Sequence, residues 1–370
     1  MSRAISIFAV FLALASSTPA PAQDTFTGVQ RIVAMGDIHG DYDRLVAVLH
    51  TAGLIDRSNA WSGGTAHLVL CGDMVDRGPA SRKVLDLVMT LQTQAAQSGG
   101  AVHPLIGNHE VMNMIGDNRY VSKEDWASYR TPESSRLLSE AARSALETAQ
   151  QDAAAKGAPP PDPSAFLSDF TDKHPVGWVE HYLAFGPKGK YGQWLRQQKV
   201  IIKINECVFM HAGIPPNYAD FTREEINRKA LEAIDDSSKR AGGIITTEEG
   251  PLWYRDFLTA PESTPGLAAH VDHVLGVQEA RHIIVGHSVQ PVVAPHFGGK
   301  VIGIDVGMSA FFKGPPEFLV IEGSKFTVIC RGEKIDFPSD GRDVMGYLRM
   351  VAKADPQNQA LLKLISPTKR

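Results

Sequence analysis

The chain of 370 residues has few cysteines and no excess of positive charge. Its three cysteines, Cys71, Cys207 and Cys330, lie far apart without a CxxC pair, which excludes a disulfide framework. Cys71 and Cys207 lie in apolar runs, so we expect buried thiols, with one disulfide as the alternative. A net charge of -4 gives no general attraction to nucleic acids or anionic membranes. We therefore expect no nucleic-acid partner, and a phosphate group must be bound locally.

Long apolar runs are also missing, apart from one near the N-terminus. Residues 4–15 are uncharged and mostly apolar, and they follow Arg3. This run is shorter than the ~20 residues that a membrane-spanning helix needs, and the small residues at 20–22 are typical of a signal-peptidase site. The sequence predicts a signal peptide at 1–22, cleaved after Ala22, and a periplasmic or secreted protein without stable membrane insertion. A membrane anchor is the alternative.

Residues 23–370 are interpreted as one domain that begins with alternating strands and helices. The predicted strands are Val29–Met35, His67–Cys71 and Ala101–Ile106. Between them, amphipathic patterns predict a helix over Asp41–Ala52 and a second helix that Pro79 opens and Gly99 ends. This βαβαβ order predicts a parallel sheet, with polar loops meeting beyond the carboxyl ends of its strands.

The middle of the chain, at about 120–198, does not continue the alternation of strands and helices. It contains an Ala-rich helical stretch over Pro132–Ala155 and a proline-rich turn at Gly157–Pro163. We interpret the segment as a helical insertion. Two positions are open: over the mouth of the site, or in the scaffold without contact to substrate.

The last third of the chain is rich in short apolar runs that read as strands. They are Val200–Ile204, Cys207–His211, His282–Val285, Val301–Ile304, Phe318–Ile321 and Phe326–Cys330. Turns such as the one at 322–324 suggest hairpins and a second sheet packed on the first. Residues 343–364 favour one or two closing helices. The predicted fold is therefore α/β.

Five short segments place a polar residue directly after an apolar run and beside a glycine. They are GDIHGD at 36–41, GDMVDRG at 72–78, GNHE at 107–110, MHAG at 210–213 and VGHS at 285–288. Glycine lets the backbone turn sharply, so the polar side chain projects from the end of the strand. Carboxylate, amide and imidazole groups without a thiolate suit divalent cations, with manganese expected and iron, zinc or cobalt as alternatives.

The six predicted ligands divide between two ions. Asp37, His39 and Asp73 are assigned to the first ion, and Asp73, Asn108, His211 and His287 to the second. A bridging carboxylate suits ions ~3.5–4 Å apart, which can share one hydroxide as the nucleophile. Singly, each residue could be a hydrogen-bonded core residue, but the five segments together outweigh that interpretation. Asp305 also ends a predicted strand, and we interpret it as a supporting residue.

Four further residues are assigned to the reaction. His109 follows a ligand and can protonate the leaving oxygen, and Asp76 can hold its imidazolium. The planar guanidinium of Arg77 offers two parallel donors to phosphate oxygens. Arg255 is a second, weaker phosphate-binding candidate, with a surface or capping ion pair as the alternative.

Together the motifs resemble the phosphoprotein phosphatase superfamily of metallophosphoesterases. The segments VMNMIGDNRYV at 111–121, GIPP at 213–216 and LWYR at 252–255 are most similar to the bacterial Shewanella-like protein phosphatases. The resemblance implies a dinuclear centre in a double β-sheet sandwich flanked by helices (αββα), and phosphatase activity that in some members prefers phosphotyrosine. It implies the ligand and acid roles already given to Asp37, His39, Asp73, Asn108, His109, His211 and His287.

One segment departs from the eukaryotic serine/threonine phosphatases. IDVGMSAF at 304–311 stands where they have a SAPNYC-like segment. Their substrate loops and regulatory subunits are therefore not transferred to this chain, and no regulatory subunit is predicted.

Three functions stay open from the sequence. The first is a phosphomonoester hydrolase acting on phosphoproteins or small phosphoesters. The alternative is a phosphodiesterase or diadenosine tetraphosphate-type hydrolase on the same centre, for which Trp126, Tyr129, Trp178 and Tyr182 would offer a stacking platform. The third is a metal-stabilised binding module without turnover, which would have no need of His109 and Asp76.

Overall fold

The computed structural model describes residues 23–366, so the predicted signal peptide lies outside the described residues. The strands are β1 Thr25–Phe26, β2 Arg31–Met35, β3 His67–Leu70, β4 Ala101–Pro104, β5 Ile201–Ile204, β6 Cys207–Met210, β7 His282–Val285, β8 Ala294–His296, β9 Val301–Gly303, β10 Glu317–Glu322, β11 Lys325–Cys330 and β12 Glu333–Asp336. The α-helices are α1 Tyr42–Thr51, α2 Ser81–Gln97, α3 Asn108–Ile115, α4 Lys123–Ser128, α5 Ser134–Ala155, α6 Pro163–Lys173, α7 Trp178–Phe185, α8 Lys190–Leu195, α9 Arg223–Asp235, α10 Asp256–Thr259, α11 Leu267–Val277, α12 Val344–Ala354 and α13 Gln359–Ile365.

Within the described residues the strands form two six-stranded sheets. The first has the order β12-β11-β10-β2-β3-β4, and its β2, β3 and β4 are parallel, which confirms the predicted βαβαβ unit. The prediction of a parallel sheet is incomplete, because β10 to β12 add antiparallel strands on the other side of β2. The second sheet has the order β1-β5-β6-β7-β9-β8 and is also mixed.

A continuous core of buried side chains joins both sheets to the helices. Most strand residues of β2, β3, β6 and β7 are buried on both faces, as expected where a strand has a helix on one side and a second sheet on the other. The predicted double-sheet sandwich with flanking helices is confirmed.

Local sequence signals explain where the early helices begin and end. The side chain of Asp41 accepts a hydrogen bond from Arg44 N (3.0 Å) and caps α1, which buries Leu45, Val48 and Leu49. The prediction that Pro79 lies in the first turn of α2 is wrong, because that helix begins at Ser81. Ala80 N donates to the backbone oxygen of Gly40, a contact that holds the preceding segment outside the helix.

Three helices, α9, α10 and α11, lie in the part of the chain where the sequence pattern predicts only strands. Most of α9 is charged and two of the four residues on its buried face are alanines, so few large apolar side chains mark it, but a readable signal precedes it. Thr222 and Glu225 form a capping box in which each accepts a hydrogen bond from the backbone of the other. This T-x-x-E spacing is the sequence signal that indicates the start of α9.

The described residues also settle two smaller points. Cys71, Cys207 and Cys330 are buried free thiols, so the alternative of a disulfide is wrong. No helix between residues 23 and 366 has both the length and the apolar character required to cross a membrane.

We expect Leu91→Ala to lower the free energy of unfolding by about 2–5 kcal/mol, because the fully buried Leu91 of α2 would leave a cavity in the core. Urea unfolding followed by circular dichroism measures this change. Thr93→Ala, on the exposed face of the same helix, is the matched control and should change stability by less than about 0.5 kcal/mol. Equal stabilities of the two variants would contradict the packing described here.

Candidate metal centre

The five sequence motifs follow the carboxyl ends of β2, β3, β4, β6 and β7, and the fold brings them to one place. All six predicted ligands are buried there; they are Asp37, His39, Asp73, Asn108, His211 and His287. Five of these six, with His211 just beneath them, line a cavity of about 340 Å³. The sheets therefore supply a rigid base on which short loops position the polar side chains.

The loops after β3 and β4 approach each other too closely for any side chain at their glycines. A Cβ on Gly72 would lie 2.7 Å from the backbone of Gly107, and a Cβ on Gly107 would lie 2.2 Å from Asp73 Oδ1. Glu110 locks the same two loops together, because its buried carboxylate accepts hydrogen bonds from Asp73 N (2.8 Å), Met74 N (2.7 Å) and Gly107 N (2.8 Å). The position of Asp73 is thus fixed by backbone contacts on both sides.

Asp73 lies between two groups of ligands. On one side, His39 Nε2 is 3.9 Å from Asp73 Oδ2 and 3.7 Å from Asp37 Oδ2. On the other side, His211 Nε2 is 3.4 Å from Asp73 Oδ1 and 2.8 Å from Asn108 Oδ1. The two oxygens of Asp73 therefore face different groups, the arrangement expected of a bridging carboxylate.

Three imidazole rings have one nitrogen bound to a backbone carbonyl and the other directed at the ligand groups. The carbonyl contacts are His39 Nδ1 to Val75 O (3.2 Å), His211 Nδ1 to Cys71 O (2.8 Å) and His287 Nε2 to Trp253 O (3.2 Å). A carbonyl oxygen only accepts, so that nitrogen must carry the hydrogen. Burial also lowers the pKa of all three rings, that of His211 to about 3, which keeps them neutral. Each ring therefore presents a bare lone pair to the site.

These lone pairs face other acceptors. His211 Nε2 lies 3.0 Å from His287 Nδ1 and 2.8 Å from the side-chain oxygen of Asn108. With the hydrogens on the carbonyl side, no proton is available between the two rings. A cation satisfies both lone pairs and the oxygen together, so the donor set fits a divalent metal ion.

The buried carboxylates also require positive charge. Burial, together with the neighbouring carboxylate of Asp305, raises the pKa of Asp37 well above its usual value, and burial raises that of Asp73. Within residues 23–366 the ion-pair partners of these two aspartates are histidines only. Because neutral histidines cannot balance this charge, cations are the fitting counter-ions.

The backbone of the site is strained where the ligands lie. His39, Asp73, Asp76, Arg77 and His287 all have positive φ angles, between 47° and 69°. Residues other than glycine rarely adopt this left-handed conformation, which costs free energy and is concentrated at functional sites. Positive φ angles also occur at turns elsewhere in the described residues, but five of them fall on the motif loops around this cavity.

The predicted acid pair is also assembled. His109 Nδ1 lies 2.7 Å from Asp76 Oδ2, and Asn113 Nδ2 donates to Asp76 Oδ1 (2.9 Å). Burial lowers the pKa of His109 to about 3 and raises that of Asp76 to about 7. The 2.7 Å contact requires a proton between Nδ1 and Oδ2, since neither atom can donate without one. The other ring nitrogen, His109 Nε2, is 3.7 Å from Asp73 Oδ2 and faces the ligand groups.

The two predicted phosphate-binding arginines differ in their surroundings. Arg77 lines the cavity with its guanidinium carbon 4.4 Å from the ring centroid of Tyr120, and its buried Nε has no hydrogen-bond partner within the described residues. Arg255 also lines the cavity, but its Nη1 donates to the backbone oxygen of His287 (3.1 Å) and to Ser288 Oγ (3.2 Å). Arg77 is thus available to an anion, whereas Arg255 already supports a ligand loop.

The insertion contributes little to the cavity. Among its described residues only Tyr120, at its very start, belongs to the lining. The proposed stacking platform is not assembled either: Tyr129 is buried against His181 inside the insertion, while Trp178 stacks on Tyr182 with 5.7 Å between ring centroids. The helical part of the insertion is therefore placed outside the site.

Several residues around the site had no role in the sequence interpretation. They are Glu110, Asn113, Tyr120, Trp253 and Phe312. Glu110 and Asn113 were visible, since they lie within or just after the quoted GNHE segment. Nothing in the sequence links Phe312 to Arg77, because only the fold brings these distant residues together.

Comparison with known proteins agrees with this geometry. The calcineurin-like phosphoesterase family matches residues 30–291. Shewanella-like protein phosphatase 2 of Arabidopsis thaliana is 28% identical over 309 residues, which cover 81% of this chain and 77% of the relative. The structure of a cold-active protein-tyrosine phosphatase from a psychrophilic Shewanella species is 28% identical, with a TM-score of 0.64 over 85% of this chain and 82% of that chain.

A more local similarity is to the symmetrical bis(5'-nucleosyl)-tetraphosphatase of Citrobacter koseri, 38% identical over 77 residues, or 21% of this chain and 22% of that protein. The longer matches extend far beyond this shared segment, and they confirm the resemblance stated from the motifs. The chain belongs to the calcineurin-like phosphoesterase family and is a metallophosphoesterase.

Proposed function

We propose that the protein is a dinuclear phosphomonoester hydrolase that acts on phosphoproteins, with phosphotyrosine as the preferred residue. The observation that carries the proposal is the set of facing acceptors: the bare nitrogens of His211 and His287 and the oxygens of Asp73 and Asn108. Such a set binds cations and, without them, would be repulsive.

Asp37, His39 and Asp73 would hold one ion, and Asp73, Asn108, His211 and His287 the other. When bound, two divalent ions supply an activated water and neutralise charge on the phosphoryl oxygens. The donor set excludes thiolates and suits manganese, which we propose as the working metal.

The remaining chemistry belongs to side chains of the chain itself. His109 donates a proton to the departing ester oxygen, and Asp76 orients the imidazole through the 2.7 Å contact with Nδ1. The planar guanidinium of Arg77 binds two phosphoryl oxygens, and its Nε has no hydrogen-bond partner between residues 23 and 366. Arg255 acts mainly by supporting the loop of His287.

A phosphoprotein substrate is supported by the phosphatase relatives, one of whose structures is titled a protein-tyrosine phosphatase and matches most of this chain. Hydrolysis of a dinucleotide polyphosphate is the second candidate, supported by the local match over 77 residues. None of the four aromatic residues of the proposed base-stacking platform lines the cavity, which argues against this candidate.

We further propose that the protein acts outside the cytoplasm. The support is the apolar run at 4–15 followed by small residues up to Ala22. When the full chain is expressed in a bacterium with an outer membrane, we expect it in the periplasmic fraction with Gln23 as its N-terminal residue, measured by N-terminal sequencing. Deletion of 4–15 is the control and should leave the chain uncut in the cytoplasm; an uncut full-length chain would contradict the proposal.

Protein reconstituted with manganese should bind two ions and hydrolyse p-nitrophenyl phosphate. We expect Asp73→Asn to bind fewer ions and to lose more than about 100-fold in kcat/KM, because the amide cannot bridge two cations as a carboxylate does. Elemental analysis and steady-state kinetics measure the two effects. Asp336→Asn, at an exposed position remote from the site, is the control and should match the wild type. Full metal content and activity in Asp73→Asn would refute the dinuclear assignment.

His109→Gln should slow the hydrolysis of phenyl phosphate by about 10²–10⁴-fold, because removal of a general acid leaves the poor leaving oxygen unprotonated. The loss with p-nitrophenyl phosphate should be much smaller, since this leaving group departs without a proton. Metal content should stay at two ions. Because His109 also lies near His39 and Asp73, loss of an ion in this variant would instead identify it as a ligand.

A further inference from the structure

We propose that Phe311 and Phe312 form an aryl-recognition surface that makes the enzyme select aromatic phosphate monoesters over alkyl ones. The proposal rests on the phosphomonoesterase function proposed above and names the residues that determine its specificity. It also gives a role to the IDVGMSAF segment and Phe312 just after it.

Both rings are exposed at the mouth of the site. Phe311 is 53% exposed and Phe312 is 37% exposed, and nearby Val289 is 48% exposed. Phe312 and Val289 line the same cavity as the metal-ligand groups. Large apolar side chains grouped at the rim of a polar cavity are typical of a ligand-binding surface.

Both rings lie close to Arg77, the residue proposed to bind the phosphate. The guanidinium carbon of Arg77 is 5.1 Å from the ring centroid of Phe311 and 5.5 Å from that of Phe312. The Phe312 ring is also 5.3 Å from the His39 ring, centroid to centroid. A phosphate held between Arg77 and the ligand groups therefore has its ester substituent within reach of Phe312.

An aryl substituent can use this surface fully. Its ring is attached directly to the ester oxygen, so it would contact the two phenylalanines in offset or edge-to-face geometry, as aromatic pairs prefer. The two rings already form such a T-shaped pair, with centroids 4.9 Å apart. The short aliphatic stem of phosphoserine offers far less apolar area to the same surface.

The segment that presents the rings is held at both ends. Ala310 N donates to the Asp41 carboxylate (2.7 Å), and Gly314 N donates to the backbone oxygen of Gly307 (2.7 Å). Gly307 has φ of 59°, and a Cβ there would lie 2.9 Å from Phe312 Cβ, so this ring packs directly on the turn. The surface is therefore formed before substrate binds, which lowers the entropic cost of recognition.

The test compares two peptides of one sequence that carry either phosphotyrosine or phosphoserine. For the double variant Phe311→Ala/Phe312→Ala we expect the ratio of kcat/KM for the two peptides to fall about tenfold relative to the wild type. Using a ratio cancels the intrinsic difference between the leaving groups. Phe312→Tyr in the wild-type background retains a ring and should keep the ratio. Met350→Ala, an exposed apolar residue on α12, is the control for nonspecific surface effects.

A binding measurement separates ring contact from an effect on Arg77. Calorimetry with the manganese-loaded protein should show phenylphosphonate binding weakened about tenfold in the double variant, while methylphosphonate and inorganic phosphate change less than about twofold. Equal weakening of all three ligands would mean that the rings act through Arg77 and would overturn the proposal.

The outcomes for the two proposals can be told apart. If the wild type hydrolyses neither peptide, the proposed function fails, and the phosphonate comparison still tests the rings. If the wild type hydrolyses both peptides and the ratio is unchanged in the double variant, only the aryl-recognition proposal is overturned.

Discussion

The whole site depends on a contact between groups that cannot bond to each other. Backbone carbonyls bind one nitrogen of His211 and one of His287, and they thereby direct two lone pairs at each other over 3.0 Å. The oxygens of Asn108 and Asp73 lie next to them. The carbonyls thus act as orienting partners of the ligands, and the lone pairs are satisfied only when a cation is shared.

The facing acceptors lower the free energy of unfolding when no cation is bound. Among the residues that the structure describes, Asp37 and Asp73 are buried without an arginine or lysine partner, and five site residues have left-handed backbone angles. Such features persist only where surrounding structure enforces them. Here the three backbone hydrogen bonds of Glu110 and the parallel strands beneath the loops do so. Bound cations would relieve the repulsion between the facing acceptors, so we expect metal binding to raise the stability of the fold.

The sequence predicted those parts of the site that depend on local order along the chain. A polar residue after an apolar run lies at the end of a strand, so the six ligands and the His109–Asp76 pair could be named from motifs alone. Helices α9, α10 and α11 are not predicted, because α9 carries few large apolar residues, α10 has only four residues and α11 lies among short apolar runs. The aromatic surroundings of Arg77 were out of reach, because Tyr120 and Phe312 meet there only through the fold.

Charge explains why substrate binding should follow metal binding. The chain is net acidic, and Asp37, Asp73 and Asp305 are buried at the very place where a phosphate must enter. Arg77 and Arg255 cannot reverse that local potential, since two guanidinium groups face three buried aspartates together with Asp76 and Glu110. Two divalent ions, bound as proposed, would invert it, so the same side chains that repel a phosphate would then hold the charges that attract it. In the proposed mechanism, affinity for the anionic substrate therefore depends on the bound metal ions. The aryl-recognition surface of Phe311 and Phe312 then determines which phosphate ester binds.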